Sequence, residues 1–177
     1  NYASMRDLPA KDWQVADFLK PGGDHFYRND NGKFVEITKE AGIHGSLISL
    51  GLGVTVGDVN EDGYPDVYVS NDFFERDYLY INQRNGTFKD ELEVRIQHTS
   101  LSSMGADMQD INNDGLIDVL ATNQNSPAQL FLNRGSATAN SISFLLRGDK
   151  SNSDGSHARI TLISPDGQKQ VDWVKAG

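Results

Sequence analysis

Asp58-Val59-Asn60-Glu61-Asp62-Gly63-Tyr64-Pro65-Asp66 and, 52 residues later, Asp110-Ile111-Asn112-Asn113-Asp114-Gly115-Leu116-Ile117-Asp118 are the two stretches on which the reading of this chain turns. Both spell D-x-N-x-D-G-x-x-D, so six aspartates are concentrated in two short runs. Like charges at that density repel one another, and a folded chain gains by neutralising them with a cation. Every candidate donor is a hard oxygen, with no imidazole or thiolate in either run, which selects Ca²⁺ or Mg²⁺ over zinc or copper. Positions 1, 3 and 5 can point inward, Gly at position 6 permits a sharp turn, position 7 can offer its carbonyl, and position 9 can close a cage of the size Ca²⁺ prefers. Asp/Asn/Gly-rich hairpin turns without metal draw on the same residues, but two runs of identical spacing favour the cage.

The first nine positions copy the spacing of an EF-hand loop, yet position 12 is Val69 in one run and Ala121 in the other, so no bidentate Glu is available. The flanks also differ from an EF-hand. Gly53-Val54-Thr55-Val56-Gly57 and Asp66-Val67-Tyr68-Val69-Ser70 are β-branched, aromatic and alternating, which reads as strand on both sides of the loop.

More than the loops repeats. After the first loop come Asp77-Tyr78-Leu79-Tyr80-Ile81-Asn82, the turn Arg84-Asn85-Gly86 and the strand start Thr87-Phe88; before it stand Asp24-His25-Phe26-Tyr27-Arg28-Asn29, Asn31-Gly32 and Phe34. A third copy begins at Gln129-Leu130-Phe131-Leu132-Asn133 and is not completed. Asn-Gly between alternating apolar residues signals a hairpin, because both central positions of a type I′ turn need positive φ. The complete unit is expected to hold four short strands at about 52–57, 66–70, 77–82 and 87–90. Four strands per repeat of roughly 50 residues is the signature of a β-propeller blade. The chain therefore reads as all-β: the last two strands of one blade at 24–37, one whole blade, and a third that stops after its third strand. A ring needs about four blades to close. An incomplete propeller follows, which is either the remainder of a larger chain or a subunit whose open blade edges pair with other chains, as in a homo-oligomer.

Three regions are expected: an N-terminal extension over 1–23 with a short amphipathic helix or an irregular segment, blade repeats over 24–135, and a small β module over 136–177. In the last, alternation returns at 141–146, 157–163 and 168–174. No charged-then-apolar leader is present in these 177 residues, and a leader removed by processing would leave none.

With 25 acidic against 16 basic residues the net charge is −9, which disfavours a nucleic-acid partner, and no basic patch offsets it. No apolar run is long enough to embed the chain in a membrane. The absence of cysteine excludes disulfides, thiolate metal sites and a cysteine nucleophile.

Leu79-Tyr80-Ile81-Asn82, Asn85-Gly86-Thr87-Phe88, Ser103-Met104-Gly105-Ala106 and the acidic loops together resemble the FG-GAP/VCBS repeat of integrin α-subunit propellers and many secreted bacterial proteins. Leu146-Arg147-Gly148, Ser151-Asn152 and Ala158-Arg159 are similar to the ASPIC/UnbV domain, which follows such repeats in the cartilage acidic protein family and its bacterial members. The resemblance covers about residues 24–177. It implies two Ca²⁺ sites, one at Asp58, Asn60, Asp62, the Tyr64 carbonyl and Asp66, the other at Asp110, Asn112, Asp114, the Leu116 carbonyl and Asp118. Family members usually carry several further repeats, have a Gly where this chain has His157, and continue past Gly177, so a fragment is expected.

Two function classes stay open. One is a non-enzymatic, calcium-stabilised extracellular or cell-surface binding and adhesion module for a protein or glycan ligand. The other is a structural subunit of an extracellular filament built by edge pairing. Catalysis is disfavoured: the carboxylates are spaced for a closed cage, and His25, His44, His98 and His157 stand in unrelated contexts. Arg147-Gly148-Asp149 spells an integrin-recognition tripeptide, but its Arg-Gly already belongs to the C-terminal pattern. Asn85-Gly86-Thr87 is a glycosylation sequon in a place where the hairpin also requires Asn-Gly.

Overall fold

The computed structural model describes residues 23–44, 49–73, 75–96, 100, 102–135, 144, 146–150, 152, 155–165, 167 and 169–174. The helix expected before Pro21, His98 and most of the strand expected at 141–146 lie outside them. The chain divides into two compact units, 1–139 and 140–177.

The first unit is almost entirely antiparallel sheet. Strands β1 (Tyr27–Asp30) and β2 (Lys33–Glu36) form a hairpin. Strands β3 (Ser49–Gly57), β4 (Asp66–Phe73), β5 (Tyr78–Asn82) and β6 (Phe88–Asp90) form a four-stranded sheet in sequential order. Strands β7 (Ser103–Gln109), β8 (Asp118–Asn123) and β9 (Ser126–Phe131) form a three-stranded one. The blade pattern of two, four and three strands is thus the one the repeat predicts, with strand ends moved by a few residues. A single helical turn, α1 (Leu92–Arg95), follows β6 and buries Leu92 completely; four residues are too few to show helical periodicity in the sequence.

The two central strands of the middle sheet, β4 and β5, are largely buried on both faces, which accounts for their continuous apolar runs, whereas β3 leaves Leu52, Val54 and Val56 exposed. Alternation sends Tyr68, Leu79 and Ile81 to one side, where they pack with Val59, Leu92, Met108 and Val119. Val69, Tyr78 and Tyr80 go to the other, with Ala41 and Ile43. Each fully buried large side chain contributes about 1.5–3 kcal/mol, so the sheets are held mainly by these two layers. Bulges fall at equivalent places, between Gly51 and Gly53 in β3 and between Ser103 and Gly105 in β7. A Cβ on Gly53 would lie 3.1 Å from the Gly105 Cα, so glycine lets the two innermost strands approach there.

The two Asn-Gly turns differ. Asn31 and Gly32 both have positive φ (54° and 92°), as a type I′ turn demands. After β5 the expectation needs correcting. Arg84 and Gly86 are the left-handed residues (62° and 87°), while the Asn85 Oδ1 accepts the Thr87 N–H at 3.0 Å. This loop is longer, closed by the Gln83 N–H on the Thr87 carbonyl at 2.9 Å, and Asn85 serves it through its side chain.

In the second unit, β10 (Arg159–Ile163) pairs antiparallel with β11 (Lys169–Trp173). His157 has φ +69°, and its N–H reaches the Val174 carbonyl at 2.8 Å. The turn therefore keeps the left-handed geometry that glycine would take without strain.

Candidate metal centre

The two acidic loops join the first and second strands of consecutive sheets, leaving from Gly57 and Gln109 and returning at Asp66 and Asp118. They fold alike, hydrogen bond for hydrogen bond. The Asp58 carboxylate accepts the N–H groups of Asp62 (3.0 Å) and Gly63 (2.7 Å); Asp110 accepts those of Asp114 (3.1 Å) and Gly115 (2.9 Å). Asn60 Oδ1 also accepts the Asp62 N–H, and its Nδ2 donates to Asp62 Oδ2 at 3.1 Å; Asn112 does both with Asp114. Asp62 Oδ1 takes the Tyr64 N–H and Asp114 Oδ1 the Leu116 N–H, each at 2.9 Å. Gly63 (φ 84°) and Gly115 (φ 91°) are left-handed, and so are the fourth residues, Glu61 (57°) and Asn113 (59°). Asparagine is at ease in that region; the strain at Glu61 was not visible in the sequence.

Position 9 differs from the rest. Asp66 and Asp118 have 0% exposure and turn inward. Asp66 Oδ2 accepts the Val59 N–H at 3.0 Å and Oδ1 the Asn82 N–H at 2.8 Å. Asp118 does the same with Ile111 (3.0 Å) and Asn133 (2.8 Å). Each ties the loop to the end of the third strand. Asn82 and Asn133 complete the tie from the other side, donating Nδ2 to the carbonyls of Pro65 (3.1 Å) and Ile117 (3.2 Å). Asn133 Nδ2 also reaches the Val59 carbonyl at 2.8 Å, which links the second loop's sheet to the first loop. In the sequence both asparagines stand only as repeat positions, and the tie they make requires the fold. The available signal was their recurrence at the end of each third strand.

Burial pushes the Asp66 carboxyl above the ordinary carboxylate range; the N–H groups of Asn82 and Val59 oppose this, and the charges of Asp58 and Asp62 add to it. A hard divalent cation suits this donor set. All side-chain donors are oxygen, and each Asp58 and Asp110 oxygen accepts one N–H, leaving a second lone pair. Among the described residues, however, no three Asp, Glu or His side chains converge at metal-holding distance, because the aspartates are turned onto backbone N–H groups. The first loop also has a cation of its own: Arg84 Nε lies 3.0 Å from Asp62 Oδ2, and its guanidinium sits 5.7 Å from the centre of the Tyr64 ring.

The histidines belong to other contexts. His25 Nδ1 bonds Glu36 Oε1 at 2.8 Å on the surface, and the His44 backbone N–H bonds the Tyr80 hydroxyl at 3.0 Å. A cleft between the second and third sheets is lined by Val59, Leu79, Ile96, Val119 and Phe131 together with Arg95 and Arg134, and among the described residues no acid or imidazole lines it.

Antiparallel sheets of up to four strands, packed face to face and carrying one acidic loop between their first two strands, define a protein of propeller-blade repeats. The chain belongs to the FG-GAP-like repeat family, whose model matches residues 14–69 and 58–121. It is similar to cartilage acidic protein 1 of Mus musculus, 31% identical over 98 residues, which cover 55% of this chain and 15% of the relative. It is also similar to integrin alpha-6 of Gallus gallus, 35% identical over 94 residues, covering 45% of this chain and 9% of that protein. The chain thus spans only a small part of the length of these relatives.

Proposed function

We propose that the protein is a calcium-binding, non-enzymatic binding or adhesion module of a secreted or cell-surface protein. In this reading Ca²⁺ bound by Asp58, Asn60, Asp62, the Tyr64 carbonyl and Asp66, and by Asp110, Asn112, Asp114, the Leu116 carbonyl and Asp118, stiffens the blade loops. The sheet faces then present a rigid surface to a protein or glycan ligand. One observation carries it: two loops 52 residues apart repeat their backbone path and their hydrogen bonds, on a donor set suited to a hard cation. A divalent ion would supply the positive charge that clustered aspartates lack. Because those side chains now face backbone N–H groups, binding requires some of them to turn toward a common centre.

Likeness to an integrin alpha chain and to a cartilage protein supports an extracellular setting, where calcium is abundant enough for weak sites. No helix among the described residues is long and apolar enough to cross a membrane. Titration calorimetry with Ca²⁺ on the chelator-treated chain is expected to give two sites, and the double variant D58N/D110N to lose both. Heat of dilution alone from the unaltered chain would contradict the reading.

A second reading, a structural subunit joined through its open blades, has one observation in its favour. Strand β9 pairs only with β8 among the described residues, so its other edge can accept a strand. Light scattering behind size exclusion decides it: assembly predicts a mass that rises with protein concentration, and a constant monomer mass would exclude it.

A further inference from the structure

We propose that Arg84 is a built-in competitor for the first acidic loop, so that the two loops take up a divalent cation with unequal affinity, the second before the first. The proposal rests on the reading of both loops as cation sites.

The two loops correspond atom by atom until their third strands end. There the Arg84 N–H bonds Asn82 Oδ1 at 2.9 Å, and in the next sheet the Gly135 N–H bonds Asn133 Oδ1 at 3.0 Å. Arg84 and Gly135 are therefore the same position. A side chain begun at Gly135 would approach Leu116, the seventh residue of its loop, to 4.0 Å, just as Arg84 lies over Tyr64, the seventh of the first. One loop has a guanidinium at that place and the other has no side chain.

The consequence falls on position 5. Asp62 Oδ2 accepts from both Asn60 Nδ2 (3.1 Å) and Arg84 Nε (3.0 Å), which occupies both of its lone pairs. Asp114 Oδ2 accepts from Asn112 Nδ2 at 2.9 Å, and among the described residues no Lys or Arg forms an ion pair with it. A cation entering the first loop must displace the guanidinium or bear its repulsion; among the described residues, one entering the second meets neither. The Asp62 side chain is only 9% exposed, while the Arg84 side chain is 58% exposed, so the pair is screened by solvent from the arginine side alone and its strength is that of a modest ion pair. Arg84 holds its place at a cost, since it is left-handed at φ +62°.

The test uses the full chain and Ca²⁺ alone, followed by calorimetry, with circular dichroism confirming that each variant is folded. D114N silences the second loop and reports the first by itself. Adding R84G or R84Q to D114N is expected to tighten Ca²⁺ binding roughly fivefold, on the scale of one ion pair, while adding R84K leaves it weak. D62N, which leaves the second loop, is expected to bind more tightly than D114N. Equal affinity of D114N with and without R84G and R84Q, or looser binding of those double variants, would overturn the role of Arg84 and leave the loops as sites. Absence of Ca²⁺ binding in the unaltered chain would overturn the underlying reading as well.

Discussion

Asp77 shows how much one residue of the repeat can carry outside the acidic loops. It is fully buried, accepting the Tyr68 hydroxyl at 2.6 Å and the Asn71 N–H at 2.8 Å. Burial raises its pKa, and the bonds from Asn71 and Tyr68 oppose the rise without cancelling it. With the folded value above the unfolded one, the stability from this group is fully present below the unfolded pKa and is lost as pH rises through the folded pKa. Asp77→Asn is therefore expected to flatten part of the fall in unfolding free energy as pH rises above the ordinary carboxylate range, measured with urea in the presence of chelator. Parallel profiles for the variant and the unaltered chain would contradict this. That the six aspartates fall in two like loops was legible from spacing alone, because a repeated pattern of turn residues is a property of the sequence. The division of labour among them was not. Asp66 and Asp58 look the same in the pattern, and only the fold turns the former inward onto Val59 and Asn82 while the latter caps its own loop.

At the scale of elements, strands were readable wherever burial alternates or is complete, as in β4 and β5, because hydrophobic side chains sort by face with period two. The loop after β5 was less readable. Asn-Gly predicts a two-residue turn, but the left-handed residue preceding Gly86 is Arg84, a choice made by Asn82 Oδ1 holding the Arg84 N–H. Helix α1 leaves no mark in the sequence because a single turn has no period. Asn133 is the point where one element grips another, since its side chain bonds the carbonyls of Ile117 in its own sheet's acidic loop and of Val59 in the acidic loop of the preceding sheet. Asn133→Ala removes both of these and the Gly135 contact, and is expected to destabilise the chain by about 1–3 kcal/mol in urea unfolding. A change within a few tenths of a kcal/mol would mean that the sheets are coupled by their apolar layers alone.

For the whole molecule, the sequence period set the count of strands per sheet, and the three sheets of the first unit follow it. Packing order was beyond its reach. That one face of the middle sheet meets the residues of β7 and β8, and the other those of the segment around Ala41 and Ile43, depends on long-range contacts that no local pattern encodes. The net charge of −9, which first served only to disfavour nucleic acid, has its densest part in two loops of one fold. Calcium would relieve that repulsion only in the folded chain, where the loops are closed, and a ligand of the folded state alone raises stability by mass action. Thermal unfolding of the full chain, in Ca²⁺ and then in excess chelator at neutral pH, is the direct measure. Cation sites in both loops predict a melting temperature higher by roughly 10–20 °C in calcium at about a hundred times the weaker site's dissociation constant, reversed by chelator and abolished in D58N/D110N; identical melting curves in calcium and chelator would mean that the two acidic loops are turns and nothing more.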